Sequence, residues 1–217
     1  MSNVARRGNH RAMPGLYAIL DPALTGDRDP LRVAEAILAG GCARLQLRDK
    51  RGPDRRRLAL GRALAERCRA AGVGFVMNDR ADLASLCEAD GLHLGQDDLA
   101  LEDARRLVGA MEIGLSTHDP AQARGAARAG ADLVALGPIF ETTTKRDPDP
   151  VVGVDTLAAV CAASDRPVIA IGGVTLDTAV AIREAGAVYG AAVSALCRAA
   201  DPESAARALH RALGGAA

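Results

Sequence analysis

Aromatic side chains are nearly missing from this 217-residue chain, which has two Phe, two Tyr and no Trp. A core built without them must come from Ala, Leu and Val, and that suits helices packed closely on a parallel sheet. Apolar residues still make up 49% of the sequence, enough for a substantial interior. Net charge is missing as well. The 27 basic residues are balanced by 27 acidic ones, so nothing recommends a nucleic-acid or membrane surface. There is no Cys-x-x-Cys. The five cysteines (Cys42, Cys68, Cys87, Cys161 and Cys197) are odd in number and widely spaced, which reads as buried or idle thiols in a reducing, cytoplasmic setting. No apolar run reaches membrane length. Arg6-Arg7 has no hydrophobic segment behind it, so a secretory signal is not expected.

What is present is a repeated alternation. Residues 1–13 are polar, basic and aperiodic and read as a flexible tail; residues 14–217 read as one catalytic domain. Strands are expected at Gly15–Leu20, Ala43–Leu47, Gly74–Met77, Gly91–Leu94, Glu112–Leu115, Leu133–Leu136, Pro167–Ile171 and Ala187–Val193. Each is followed by a helical pattern, over about 30–40, 53–71, 81–87, 101–108, 120–129, 154–163, 176–185 and 202–213. Ala-Gly closes helices at Ala39-Gly40, Ala71-Gly72, Ala129-Gly130 and Ala185-Gly186, spaced by one or two units of about thirty residues. Alternating β and α at this spacing means a parallel sheet, and eight units fit a single (β/α)8 TIM barrel. A doubly wound open sheet is the alternative, but no Gly-x-Gly-x-x-Gly follows the first strand.

In such a barrel the chemistry sits at the C-terminal strand ends. Strand two ends in Gln46, Leu47, Arg48, Asp49 and Lys50, and the alternation of a strand puts Gln46, Arg48 and Lys50 on one face. Two cations at a barrel mouth call for an anion such as a phosphate or pyrophosphate, with an internal salt bridge as the other reading. Strand three ends in Asn78-Asp79 and strand four in Gln96-Asp97-Asp98. Asp79 and Asp98 suit a hard divalent ion such as Mg²⁺, while Asp97 reads as a helix cap. His93, within strand four, reads as a hydrogen-bonded core histidine. Ser116-Thr117-His118 would offer hydroxyls to the same mouth, His118 being either an acid/base group or a polar cap. Leu133–Leu136 runs into Gly137-Pro138 and then into Thr142, Thr143, Thr144 and Lys145, an oxyanion-binding cluster or a Thr-rich surface loop. Gly172-Gly173 and Val193-Ser194 end strands seven and eight, where barrels bind phosphate through backbone N–H groups.

Taken together, Gly15-Leu-Tyr-Ala-Ile, Gln46-Leu-Arg-Asp-Lys50, Asn78-Asp-Arg80, His93-Leu-Gly-Gln-Asp-Asp98, Gly137-Pro-Ile-Phe140, Thr142-Thr-Thr-Lys145, Ile171-Gly-Gly173 and Val193-Ser194 resemble the thiamine-phosphate synthase family, in its order. The resemblance implies a transferase that joins hydroxymethylpyrimidine diphosphate to a thiazole phosphate and releases pyrophosphate. It implies that Gln46 to Lys50, Asn78, Ser116 and Lys145 meet the pyrimidine diphosphate, with Arg48, Lys50, Ser116 and Lys145 serving catalysis. It implies Asp79 and Asp98 on Mg²⁺, and Thr142 to Thr144, a strand-seven glycine (Gly172 or Gly173), Val193 and Ser194 on the thiazole phosphate. The mechanism it implies is dissociative: pyrophosphate departs, the aminopyrimidine stabilises the cation, and the thiazole nitrogen attacks. Glu141 departs from the family, where proline is commoner, and puts loop closure in question. A thiazole tautomerase of the same fold, or a silent phosphate-binding barrel, stays open. The partners implied are small molecules, with no nucleic acid or membrane; a homo-oligomer is neither required nor excluded.

Lys145 sits on a loop long enough (Glu141 to Gly153) to fold over the mouth, so its cation can act where charge develops as the C–O bond breaks. Lys145→Ala is expected to lower kcat by about 10²-fold or more, about 3 kcal/mol, with a smaller effect on KM. Lys145→Arg should recover part of the loss. Steady-state kinetics with both substrates varied measures this, and a raised KM at unchanged kcat would make Lys145 a plain binding residue.

Overall fold

In the computed structural model, which describes residues 13–142 and 149–216, eight strands pair in parallel and in chain order into a closed barrel. The strands are β1 (Gly15–Leu20), β2 (Arg44–Leu47), β3 (Gly74–Asn78), β4 (Gly91–Leu94), β5 (Glu112–Thr117), β6 (Leu133–Leu136), β7 (Val168–Ile171) and β8 (Tyr189–Ala192). The helices are α1 (Pro30–Gly40), α2 (Asp54–Ala71), α3 (Ala81–Leu86), α4 (Leu101–Val108), α5 (Pro120–Arg128), α6 (Val154–Ala163), α7 (Leu176–Glu184), α8 (Ser194–Cys197) and α9 (Pro202–Ala212). The expected tail lies almost wholly outside the described residues. No helix among the described residues is long and apolar enough to cross a membrane.

Local chemistry explains where helices begin. α1, α5 and α9 each open on Asp-Pro. Asp29, Asp119 and Asp201 accept hydrogen bonds from first-turn N–H groups, and the proline that follows has no N–H to leave unsatisfied. α2 ends on Gly72, left-handed at φ 69, a conformation that costs glycine nothing.

Alternation along the strands builds two cores. Leu16, Ala18, Leu20, Leu45, Leu47, Phe75 and Met77 face outward and are sealed by the helices. Tyr17, Ile19, Val76, Leu133, Ala135, Ile169, Tyr189 and Ala191 fill the barrel interior. Both tyrosines of the chain are therefore inside the barrel, edge to face at 6.1 Å. The cysteines sit in the outer layer: Cys42, Cys68, Cys87 and Cys197 are buried, Cys161 is partly so, and none is disulfide-bonded.

Three departures from the sequence reading matter for function. β5 continues two residues further than expected, to Thr117. β8 is shorter than expected, and the four-residue helix α8 follows it directly. A helix of one turn leaves no periodicity for sequence patterning to register. Asp97 caps nothing: the residue before α4 is Ala100, without a side-chain cap.

The seam closes where β1 pairs with β8, Gly15 opposite Tyr189 and Ala18 opposite Ala192. Outside the seam, α1 crosses α9 at Gly40. A Cβ at Gly40 would sit 2.2 Å from the Glu203 carbonyl oxygen and 2.9 Å from the Ala206 Cβ. Since the obstacle is mostly backbone, Gly40→Ala is expected to destabilise the protein by about 1–3 kcal/mol. Urea unfolding measures this, and an unchanged midpoint would show that the crossing has slack.

Candidate active site

The site residues converge because each follows a strand into the same end of the barrel. Gln46 faces the interior, nearly fully buried, and its amide Nε2 donates to the Tyr17 hydroxyl at 3.0 Å. Two residues on, Arg48 emerges at the mouth and pairs with Asp21 at 2.6 Å. Asp21 was legible in the sequence only as the stop of β1. Its carboxylate has two tasks: it accepts from the Ala23 N–H and it holds the Arg48 guanidinium. The internal salt bridge and the outward-facing cation are thus the same residue. Lys50 is more exposed and lies 3.4 Å from Asp79.

Asp79 sits at φ 61, a left-handed backbone unusual for a residue with a side chain. Non-glycine residues in that region mark places where the surrounding structure overrides local preference. Here the turn brings its carboxyl into hydrogen-bonding reach of Asp98. Burial and the Asp98 carboxyl push Asp79 up to about 6, with Lys50 pulling the other way. Asp98 also accepts from the Gly95 N–H at 2.6 Å, which fixes its loop. Two carboxyls held together beside one lysine are short of positive charge, and a divalent cation fits them. Among the described residues no third His, Cys, Asp or Glu joins them.

On β4 and β5, His93 and Ser116 face each other, Nε2 to Oγ at 3.0 Å. Burial, against a smaller pull from Asp98, holds the imidazole down to about 4, so it is neutral at ordinary pH. The Gln96 amide donates to the Ser116 carbonyl. At the β7 end Gly172 (φ 92) and Gly173 (φ 67) lie under the start of the β6 loop. A Cβ on Gly172 would meet Pro138 Cα at 2.5 Å, and one on Gly173 would meet the Glu141 carbonyl oxygen at 2.7 Å. Val193 packs toward the barrel interior and leads into α8, whose first residue is Ser194.

Some expected site residues are turned elsewhere. The Leu47 side chain belongs to the helix-facing core. The Asp49 carboxylate accepts from the Arg51 and Gly52 N–H groups at 3.1 and 2.7 Å and so shapes its own loop. Thr117 is buried and donates to the Ala135 carbonyl, so of the two β5 hydroxyls Ser116 alone faces the mouth. His118 Nδ1 is 2.7 Å from the Gly137 carbonyl oxygen and 3.5 Å from Asp149 Oδ2, a tether between the two ends of the β6 loop. Thr142 and Glu141 are described; Thr143, Thr144 and Lys145 lie outside the described residues. A groove of ≈ 350 Å³ between α5 and α6, lined by Ala123, Arg124, Ala127, Val160 and Ala163, is on the outer wall, away from these groups.

A closed parallel barrel with its ionisable groups gathered at the C-terminal strand ends defines a TIM-barrel enzyme. Its sequence matches the family described as thiamine monophosphate synthase over residues 16–196. The chain belongs to that family. It is 44% identical to a thiamine-phosphate synthase of Roseiflexus castenholzii, over 89% of this chain and 86% of that protein. It is 43% identical to one of Laribacter hongkongensis, over 90% and 93%. Among solved structures, thiamine phosphate pyrophosphorylase from Pyrococcus furiosus superposes with a TM-score of 0.84 at 30% identity, covering 92% of this chain and 95% of that one. A geranylgeranylglyceryl phosphate synthase from Thermoplasma acidophilum, at 17% identity and a TM-score of 0.67, shares the fold.

The Asp79 carboxyl yields a stability prediction. Its folded pKa, raised to about 6, lies above its unfolded value, so the fold favours the protonated form. The cost of ionising it is absent below about pH 4, grows up to about pH 6 and is complete above that. In EDTA, Asp79→Asn is expected to raise stability by about 2 kcal/mol near pH 7.5 and to change it little near pH 4. Urea unfolding at the two pH values tests this, and equal effects at both would rule out a buried, repelled carboxylate.

Proposed function

We propose that this chain makes thiamine phosphate and pyrophosphate from a hydroxymethylpyrimidine diphosphate and a thiazole phosphate. The observation that carries the reading is that Arg48, held by Asp21, and Lys50, beside Asp79, stand with the Asp79–Asp98 carboxyls at one end of the barrel. Cations and a cation-demanding carboxyl pair, side by side, suit a diphosphate bound together with a divalent metal.

In this reading Asp79 and Asp98 hold Mg²⁺, which when bound neutralises charge on the departing diphosphate. Arg48, oriented by Asp21, and Lys50 bind the diphosphate oxygens. Gln46 and Asn78 orient the pyrimidine end, and Ser116 donates a hydrogen bond. Thr142, Thr143 and Thr144 with Gly172, Gly173, Val193 and Ser194 receive the thiazole phosphate, and Lys145 meets the leaving group. Pyrophosphate leaves first, the aminopyrimidine stabilises the cation and the thiazole nitrogen attacks. No protein nucleophile is required; fixed geometry, neutralised charge and excluded water do the catalysis. The relatives reported above are thiamine-phosphate synthases, which speaks against the thiazole-tautomerase alternative. Five unpaired thiols suit a cytoplasmic enzyme.

Incubation with both substrates should give thiamine phosphate in Mg²⁺ and little in EDTA. Asp79→Ala is expected to retain its fold and lose about 10²-fold or more in turnover. Mg²⁺ should raise the melting temperature of the unaltered protein and leave that of Asp79→Ala where it was. Near-normal turnover in EDTA, or an equal melting shift in the variant, would reject the metal site.

A further inference from the structure

His93 has an unusual surrounding for a buried polar ring. One nitrogen, Nε2, meets the Ser116 hydroxyl at 3.0 Å. The other, Nδ1, is inaccessible and has no hydrogen-bond partner among the described residues. It faces Gly114, the residue beside it across the β4–β5 pairing, where a Cβ would stand 2.7 Å from Nδ1. The hydrogen that replaces that Cβ in glycine points at the nitrogen. A neutral imidazole carries its proton on one nitrogen and a lone pair on the other.

These surroundings separate the two tautomers. With the proton on Nδ1, an N–H would be buried against a CH₂ group with no acceptor, one of the rarer defects in folded proteins. With the proton on Nε2, the Nδ1 lone pair meets a Cα–H, a weak but favourable contact. We infer that His93 is a positioning residue that, as its Nε2–H tautomer, occupies an Ser116 Oγ lone pair and so turns the Ser116 hydroxyl proton toward the mouth. Resting as it does on the reading of Ser116 as a diphosphate contact, the assignment deepens that reading. Diphosphate oxygens only accept hydrogen bonds. A serine that donated to histidine would present lone pairs to them and repel them; a serine that accepts from histidine presents its proton. An imidazolium would bury an N–H at Nδ1 with no acceptor, so the surroundings admit only the neutral ring. Gln96, holding the Ser116 carbonyl from the same β4 end, fixes the rest of the residue.

The tautomer can be read without altering the protein. Histidine ¹⁵N NMR of the native chain near neutral pH, with the His93 signals identified by their loss in His93→Gln, should show a protonated Nε2 and a bare Nδ1. A proton on Nδ1 overturns the assignment. Kinetics then test the consequence. His93→Leu should cost about tenfold in kcat/KM for the pyrimidine diphosphate, the scale of one misdirected hydrogen bond to a charged group. His93→Gln, whose amide N–H reaches the place of Nε2, should stay within about threefold of the native value. In a Ser116→Ala background His93→Leu should cost nothing further. Equal losses for Gln and Leu at matched melting temperature, or full additivity with Ser116→Ala, overturn the positioning role. Native kcat/KM in Ser116→Ala alone overturns it differently, by removing Ser116 from the diphosphate site while the tautomer stands.

Discussion

The pairing of β1 with β8 is the constraint on which the rest depends. A parallel sheet has no stable edge to expose to water, and closing it on itself removes the edges altogether. Closure also sets the direction of every strand, so eight C-terminal ends open on one rim. Residues from Asp21 to Ser194 are thereby brought to one rim although they are far apart in the chain. The α1–α9 crossing, with no space for a side chain at Gly40, covers the seam from outside.

The interior of the barrel is graded along its axis. Tyr17 and Tyr189 form an aromatic floor, edge to face with each other. Tyr17 also stacks edgewise on His93 at 6.5 Å and accepts from Gln46. Above this layer the groups become charged: Arg48 with Asp21, Lys50 with Asp79, and Asp79 against Asp98. The polar layer keeps side chains rigid, because each is packed and hydrogen-bonded, and the charged layer above it borrows that rigidity. The site's residual imbalance, two carboxyls for one nearby lysine, is what the proposed divalent ion would offset.

Much of this was legible in the sequence, for local reasons. Strands ended where Asp-Pro, Gly-Pro or Gly-Gly interrupted them, and three helices started where Asp-Pro capped them. Strand alternation placed Gln46 and Arg48 on one face and Leu45 and Leu47 on the other. Several of the illegible parts rest on contacts between distant positions. Nothing around Asp21 points to Arg48, 27 residues later. Asp49 looks like part of a charged motif but bonds its own turn, and Thr117 looks like a mouth hydroxyl but bonds a neighbouring strand. Gly114 carries no local mark at all; its need for hydrogen in place of Cβ exists only because His93 lies beside it. The Thr143–Lys145 cluster, prominent in the sequence, falls outside the described residues.

The placement of the cysteines has an experimental use. Burial pushes Cys68 up to about 12 and Cys161 and Cys197 up to about 11, and raises Cys42 and Cys87 as well. The thiolate, which is the reactive form, is therefore scarce while the layers stay packed. Reaction with a thiol reagent then reports the opening of each neighbourhood: Cys68 for α2, Cys161 for α6, Cys197 for the turn of helix beneath the rim. The molecule thus carries its own set of reporter groups, distributed around the helical shell, from which a map of local unfolding can be drawn without introducing a label.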